Sequence, residues 1–204
     1  MSGAWWVLIT VVVAVVLVAS WYSFQLAKRL DRLHWRLLST RDALDRLTVR
    51  RASEARLLVA SGLLPPDGAA SVDRAALDCL TGEEALFVMD DLDRRRDGLH
   101  DGVVDEHAVA ERNERESALT RAVRETLTPD ERDRVAEAPG GREFLDSLDM
   151  ACYRVQLARS MHNLDVTQVL HLRENPWVRL LRLYGRAPAP STIDFDDATT
   201  TAGA

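Results

Sequence analysis

Charge is missing from one stretch of this 204-residue chain. Residues 4–22, AWWVLITVVVAVVLVASWY, contain no Lys, Arg, Asp or Glu, so the whole net charge of −6 belongs to residues 23–204. Cysteine is almost absent. Cys79 and Cys152 are the only two, too few for a disulfide-stapled secreted scaffold, and no CxxC pair offers metal-ligand spacing. Aromatics make up 6% of the chain, and no series of short alternating segments occurs, which removes the sequence basis for an all-β sandwich or barrel. Lysine is represented by Lys28 alone. The remaining composition, 47% hydrophobic and 28% charged, excludes both a disordered and a uniformly membrane-buried polypeptide.

The uncharged run reads as a single transmembrane anchor over residues 1–22. Its nineteen residues extend about 28 Å as a helix, close to the hydrocarbon thickness of a bilayer. Trp5 and Trp6 stand at one end, Trp21 and Tyr22 at the other, where amphipathic rings favour the two headgroup interfaces. A cleavable leader is the rival, with Val18 and Ser20 at its small-residue positions. Such leaders begin basic, however, and no Lys or Arg precedes the run. Lys28, Arg29, Arg32 and Arg36 come after it, which by the positive-inside rule places the N-terminus outside the cell membrane and the body in the cytoplasm. The alternative is an extracytoplasmic body.

Residues 23–186 read as all-α. From residue 23 to 61 apolar side chains recur at steps of three and four, through Leu26, Leu30, Leu33, Leu37, Leu44, Leu47, Ala55 and Leu58, until Gly62 and Pro65-Pro66 end the helix. Further helices are predicted at 71–97, 106–127 and 142–173. Short ones are predicted at 129–138, opened by Thr128-Pro129-Asp130-Glu131, and at 177–184. The seam of 142–173, Leu145, Leu148, Cys152, Val155, Arg159, His162, Val166 and Val169, alternates threes and fours as coiled-coil strands do. About four long helices with short links give an antiparallel bundle behind the anchor. Residues 187–204, acidic and Thr-rich after an Ala-Pro repeat, read as a flexible tail.

Polar residues interrupt the seams. An arginine there either snorkels to water or is paired inside. The sharper expectation is a buried polar network of Arg51, Glu116 and Arg159, with His162 and Asn163 on the next turn. Near the end, Trp177, Arg179, Arg182, Tyr184 and Arg186 interleave with Leu180 and Leu181, a pattern that suits a helix lying at a membrane interface. Packing against the base of the bundle is its alternative.

Reaction chemistry finds no support. His100, Asp101, Asp105, Glu106 and His107 cluster in a polar loop, but there is no HExxH, and no calcium-loop glutamate lies at the required distance beyond Asp93 or Asp97. Gly140-Gly141 lacks the Gly-Lys-Ser/Thr ending of a phosphate loop, and Ser117 and Ser160 lack a GxSxG setting. Arg115-Glu116 and Arg124-Glu125 lack the paired glutamates of a nucleotide pyrophosphatase. Cys152 sits on an apolar seam as a small core residue. No catalytic residue, cofactor or metal is therefore expected. Nucleic acid is a poor partner: residues 23–61 carry nine positive and four negative side chains, but residues 62–111 offset them with thirteen negative and four positive.

Ala158-Arg159-Ser160-Met161-His162-Asn163 resembles the A-R-x-x-Y-N segment of the LemA family, membrane-anchored helical bundles of bacteria. The later WVRLLRLYGRAPAP and IDFDD runs are similar to actinobacterial members, and Leu47-Thr48-Val49-Arg50-Arg51-Ala52 resembles the family's Arg-Arg segment, with Trp35 upstream. His162 stands where that family has tyrosine, its asparagine after the Arg-Arg pair is missing, and residues 62–111 fit poorly. The resemblance implies a bundle and an anchor and lends no activity. The expected function is a membrane-anchored, non-catalytic helical scaffold or protein-interaction module. Its partners are the lipid bilayer and a protein the sequence does not identify, and the seams could close within one chain or across a homo-oligomer. The alternatives are an anchored hydrolase of a phosphorylated substrate, with a metal at residues 100–107, and an extracytoplasmic envelope-organising protein.

Overall fold

The computed structural model describes residues 2–82, 87–88, 106–185 and 188–199, and among them it is helical, with no strand. Helix α1, Ser2–Ala60, is one unbroken element of 59 residues, about 88 Å long. Neither glycine nor proline occurs between Gly3 and Gly62 to interrupt it. Its beginning is long and apolar enough to cross a membrane and is exposed on every side. From Leu26 onward one stripe turns inward through Leu30, Leu33, Leu37, Leu44, Ala52, Ala55 and Leu58. Gly62, at φ +71°, then reverses the chain with a backbone conformation that an L side chain adopts only under strain.

Helix α2, Pro66–Thr81, starts at Pro66 rather than at the predicted residue 71. Proline in the first turn lacks only an N–H that the helix leaves unbonded anyway, and Asp67 adds negative charge at the positive end of the dipole. The rest of the predicted 71–97 helix falls mostly on residues outside those described. Helix α3 is Glu106–Thr126 and helix α4 is Pro129–Glu137, where Thr128 caps by accepting the Glu131 N–H at 3.4 Å. Helix α5, Gly141–Glu174, begins so close to α4 that a Cβ on Gly141 would sit 1.8 Å from the Val135 carbonyl oxygen. Asn175 opens the short helix α6, Pro176–Leu180, by accepting the Trp177 N–H at 2.9 Å. It ends sooner than the predicted 177–184 and continues as turns.

Three apolar clusters order the packing. Ala55 and Leu58 of α1 meet Val72 and Ala76 of α2, Leu119 and Val123 of α3, Val135 of α4 and Leu148 of α5 at the far end. Leu44 meets Val155 and Ala158 in the middle. Leu26, Leu30, Leu33 and Leu37 meet Val166, Val169, Leu172 and Val178 nearest the apolar run. Helix α5 thus runs antiparallel to α1. Among the described residues these two are the long pair; α2 and α3, of 16 and 21 residues, pack only toward the far end and the middle.

The C-terminal segment departs from expectation. Of the predicted tail at 187–204, residues 188–199 are described; they have no helix, and they pack into the body, with Ile193 fully buried and Phe195 5% exposed. Ile193, Phe195 and Asp197 turn inward while Asp194 and Ala198 face out, the two-residue alternation of extended chain. The acidic composition that suggested solvation instead supplies partners for arginines.

Candidate functional site

The interior charges form a clasp. Arg51 is 2% exposed. Its guanidinium donates to Glu116 Oε2 at 2.6 Å, to the Glu116 carbonyl at 3.1 Å and to Thr120 Oγ1 at 3.0 Å, so α1 and α3 are tied at one buried point. The expected third member does not join them. Arg159 Nε and Nη2 donate to Asp197 Oδ2 and Oδ1 at 2.6 and 2.8 Å, a bidentate fork. From α5, Arg159 faces the groove between α3 and α5, and the C-terminal segment brings its carboxylate into that groove. The single cluster is therefore corrected to two pairs with the Phe195 ring between them, its centre 5.9 Å from the Arg51 guanidinium carbon and 5.6 Å from that of Arg159.

His162, fully buried, donates from Nε2 to the Ser191 carbonyl at 3.3 Å. Asn163 grips Ile193 twice, donating to its carbonyl and accepting its N–H, both at 2.9 Å. From the other wall, Ser117 Oγ accepts the Asp196 N–H at 3.0 Å and Arg124 pairs with Asp196 at 3.0 Å. Phe195 also stacks on Phe87, centroids 5.8 Å apart. All five predicted network residues are thus placed in or beside this clasp. The sequence reading missed Asp196 and also Ile193, Phe195 and Asp197, whose two-residue alternation was the available signal. It also missed Asp165, a buried seam acid 3.6 Å from Arg36.

The clasp has a pH dependence with a definite sign. Burial pushes the Asp196 carboxyl up, but hydrogen bonds from Arg124 and the Ala198 N–H, with the charges of Arg124 and Arg121, outweigh it and hold the group below the ordinary range. A depressed carboxyl adds stability above its unfolded pKa of about 3.9 and loses it as pH falls through the lower folded value. Below about pH 4 the Ile193 methyl resonances should therefore move toward free-chain positions, and in Asp196→Asn this movement should be shallower. Resonances indifferent to acid in the parent chain would contradict the assignment.

Neither cysteine is a reactive thiol. Burial pushes the Cys79 thiol up to about 12 and the Cys152 thiol up to about 11, so both stay protonated near neutrality. A surface cavity of 580 Å³ is lined by Arg50, Arg142 and Arg154, but Glu143 and Asp146 sit among them and offset the charge an anion would need. Among the described residues no group of three or more His, Cys, Asp or Glu is placed to hold a metal ion. His100, Asp101 and Asp105 lie outside those residues, and Glu106 and His107 open α3.

The second candidate region is the base of the body. Trp5, Trp6, Trp21 and Tyr22 are exposed at the two ends of the apolar run. Trp177 reaches α1 and donates from Nε1 to Ser23 Oγ at 2.9 Å, one residue past that run. Tyr184 is held under the Arg173 guanidinium, 4.4 Å from its ring centre, so it packs rather than projects. Arg179 and Arg182 are exposed, and Arg186 lies outside the described residues. Packing against the base of the bundle is what the geometry shows for this segment: Trp177, Val178, Leu183 and Tyr184 pack on α1 and α5, while Arg179, Leu180, Leu181 and Arg182 are exposed. No family model, no curated protein and no solved structure matches this chain.

Proposed function

We propose that the chain is a single-pass membrane protein whose body, an antiparallel helical bundle built on α1 and α5, acts as an anchored, non-catalytic scaffold or protein-interaction module in the cytoplasm. The observation that carries this is the continuity of α1. The same helix is exposed and apolar around its whole circumference over residues 4–18 and then buries a single stripe, so anchor and spine are one rigid element. A soluble core helix would bury its most apolar part; this one buries none of it. The basic residues beyond the apolar run favour the cytoplasmic side.

The residues behind the likeness to LemA, Arg159, Asn163 and the 193–197 run, bind one another, which gives them a structural task in the bundle. The surface open to a protein partner is the outer stripe of α5, where Met150, Tyr153, Leu157, Met161 and Leu164 are exposed at helical spacing and no described element covers them.

Alkaline carbonate extraction of the full chain, with a reporter active only in the cytoplasm fused after Ala204, tests the reading. Retention in the membrane pellet with an active reporter is expected. Release into the supernatant, or processing near residue 20, would overturn the anchor. A reporter active only outside would overturn the cytoplasmic assignment in favour of an envelope-organising role.

A further inference from the structure

The base of the body carries an arginine where the backbone favours glycine. After α6, the Leu183 N–H bonds the Val178 carbonyl at 3.0 Å and the Arg182 N–H bonds the Arg179 carbonyl at 3.2 Å, with Val178 and Leu183 packed in one cluster. This is a Schellman cap, and its left-handed position, ordinarily glycine, is Arg182 at φ +48°. Every other described residue with positive φ, Gly62, Gly140 and Gly185, is glycine. A side chain kept in a strained conformation on the surface points to a use for that side chain.

Its surroundings indicate the use. Trp177, hydrogen-bonded to Ser23, fixes α6 at the level where the apolar run ends. Arg179 and Arg182 are exposed, as are Leu180 at 74% and Leu181 at 46%. Beneath them an open groove of 460 Å³ runs beside α1 along Ala14, Val15, Val18, Ala19 and Tyr22, with Trp177 completing its lining. It spans about 12 Å of helix, and a hydrocarbon chain suits its apolar walls. Lys28, Arg29 and Arg32 are exposed on α1 just above, against Asp31; Glu174 on α5 faces His171 at 3.6 Å.

We propose that this junction binds anionic phospholipid. Arg179 and Arg182 take the headgroup phosphate, Leu180 and Leu181 enter the headgroup–acyl boundary, and an acyl chain lies in the groove beside α1. The proposal rests on the reading that residues 4–22 cross the bilayer.

The test uses the full chain with Trp5, Trp6, Trp21 and Trp35 replaced by Phe, leaving Trp177 as the only tryptophan. It is reconstituted in equal parts phosphatidylcholine and phosphatidylglycerol, with one or the other carrying brominated acyl chains. Brominated phosphatidylglycerol should quench Trp177 more strongly. Arg182→Gly should weaken that preference about fivefold, the ordinary contribution of one basic residue near an anionic surface, while Tm holds or rises because the cap relaxes. A residue with a purely structural role would not lose lipid preference while gaining stability. Arg179→Gln combined with Arg182→Gly should weaken the preference about 25-fold, leaving only what Lys28, Arg29 and Arg32 contribute. Equal quenching by both lipids in the parent chain, or a preference that the double variant leaves unchanged, would overturn the site while leaving the anchor intact. Absence of quenching by either lipid would overturn the anchor itself.

Discussion

Glu116→Ala is expected to destabilise the body by about 3–5 kcal/mol, the usual loss when one member of a buried ion pair is removed. The side chains of Arg51 and Glu116 are 2% and 5% exposed and 2.6 Å apart. Without the carboxylate, the guanidinium keeps the Thr120 hydroxyl and the residue-116 carbonyl but has no countercharge, and it cannot reach water without unpacking the body. Urea unfolding of the detergent-solubilised chain, monitored by circular dichroism, measures the loss. Arg56→Ala is the control: its pair with Asp73 is 45% and 43% exposed, and such pairs contribute about 0–1 kcal/mol. Arg51→Met combined with Glu116→Leu should recover most of the loss, because replacing both charges by apolar side chains removes the desolvation penalty with the attraction. If Glu116→Ala unfolds like the parent, the pair does not hold α1 to α3.

Phe195→Ala should have the second largest effect. Truncating a buried phenylalanine costs about 3–5 kcal/mol in a core that cannot collapse. Here the ring is 5% exposed among Phe87, Arg51 and Arg159. But Phe195 belongs to a terminal segment that can detach as a unit, so the loss cannot exceed the free energy with which residues 188–199 dock. Two measurements separate these contributions. Hydrogen exchange should show the Ile193 and Asp196 amides, bonded to Asn163 and Ser117 in the parent chain, losing protection. The Leu119 and Val155 amides should keep theirs. Uniform loss of protection would mean that the segment is integral to global folding, and unchanged exchange would mean that the ring does not hold it.

The two kinds of structure in this chain were not equally legible. Local rules read the helix that begins at Pro129, because a capping hydroxyl, a proline and two acids occupy consecutive positions. They missed the start of α2, because Pro66 serves equally as a stop signal and as a first-turn residue, and only tertiary packing decides between them. Seam spacing located Arg51, Glu116 and Arg159 as interior charges. It could not assign partners, since a periodic pattern gives the face of a residue and not the group that lies across from it. Asp197 was lost in composition: acidic and aliphatic residues in a Thr-rich tail average to solvated chain, and only their odd–even order separates the buried from the exposed. The base of α6 was legible in residue types, but the strained φ of Arg182 has no trace in the sequence.

The continuity of α1 has a consequence for any change in its length near Ser23. A helix advances about 100° and 1.5 Å with each residue. One amino acid inserted between Tyr22 and Leu26 would swing everything beyond it around the axis of α1 by more than a quarter turn. The swing would move Ser23 or Ala19 out of register with the Trp177 indole and point α6 along a different flank of the rod. Four inserted residues would nearly restore the azimuth but carry the arginines about 6 Å farther from the apolar run. Tolerance to such insertions should therefore track the helical period, as in a camshaft, rather than the number of residues added.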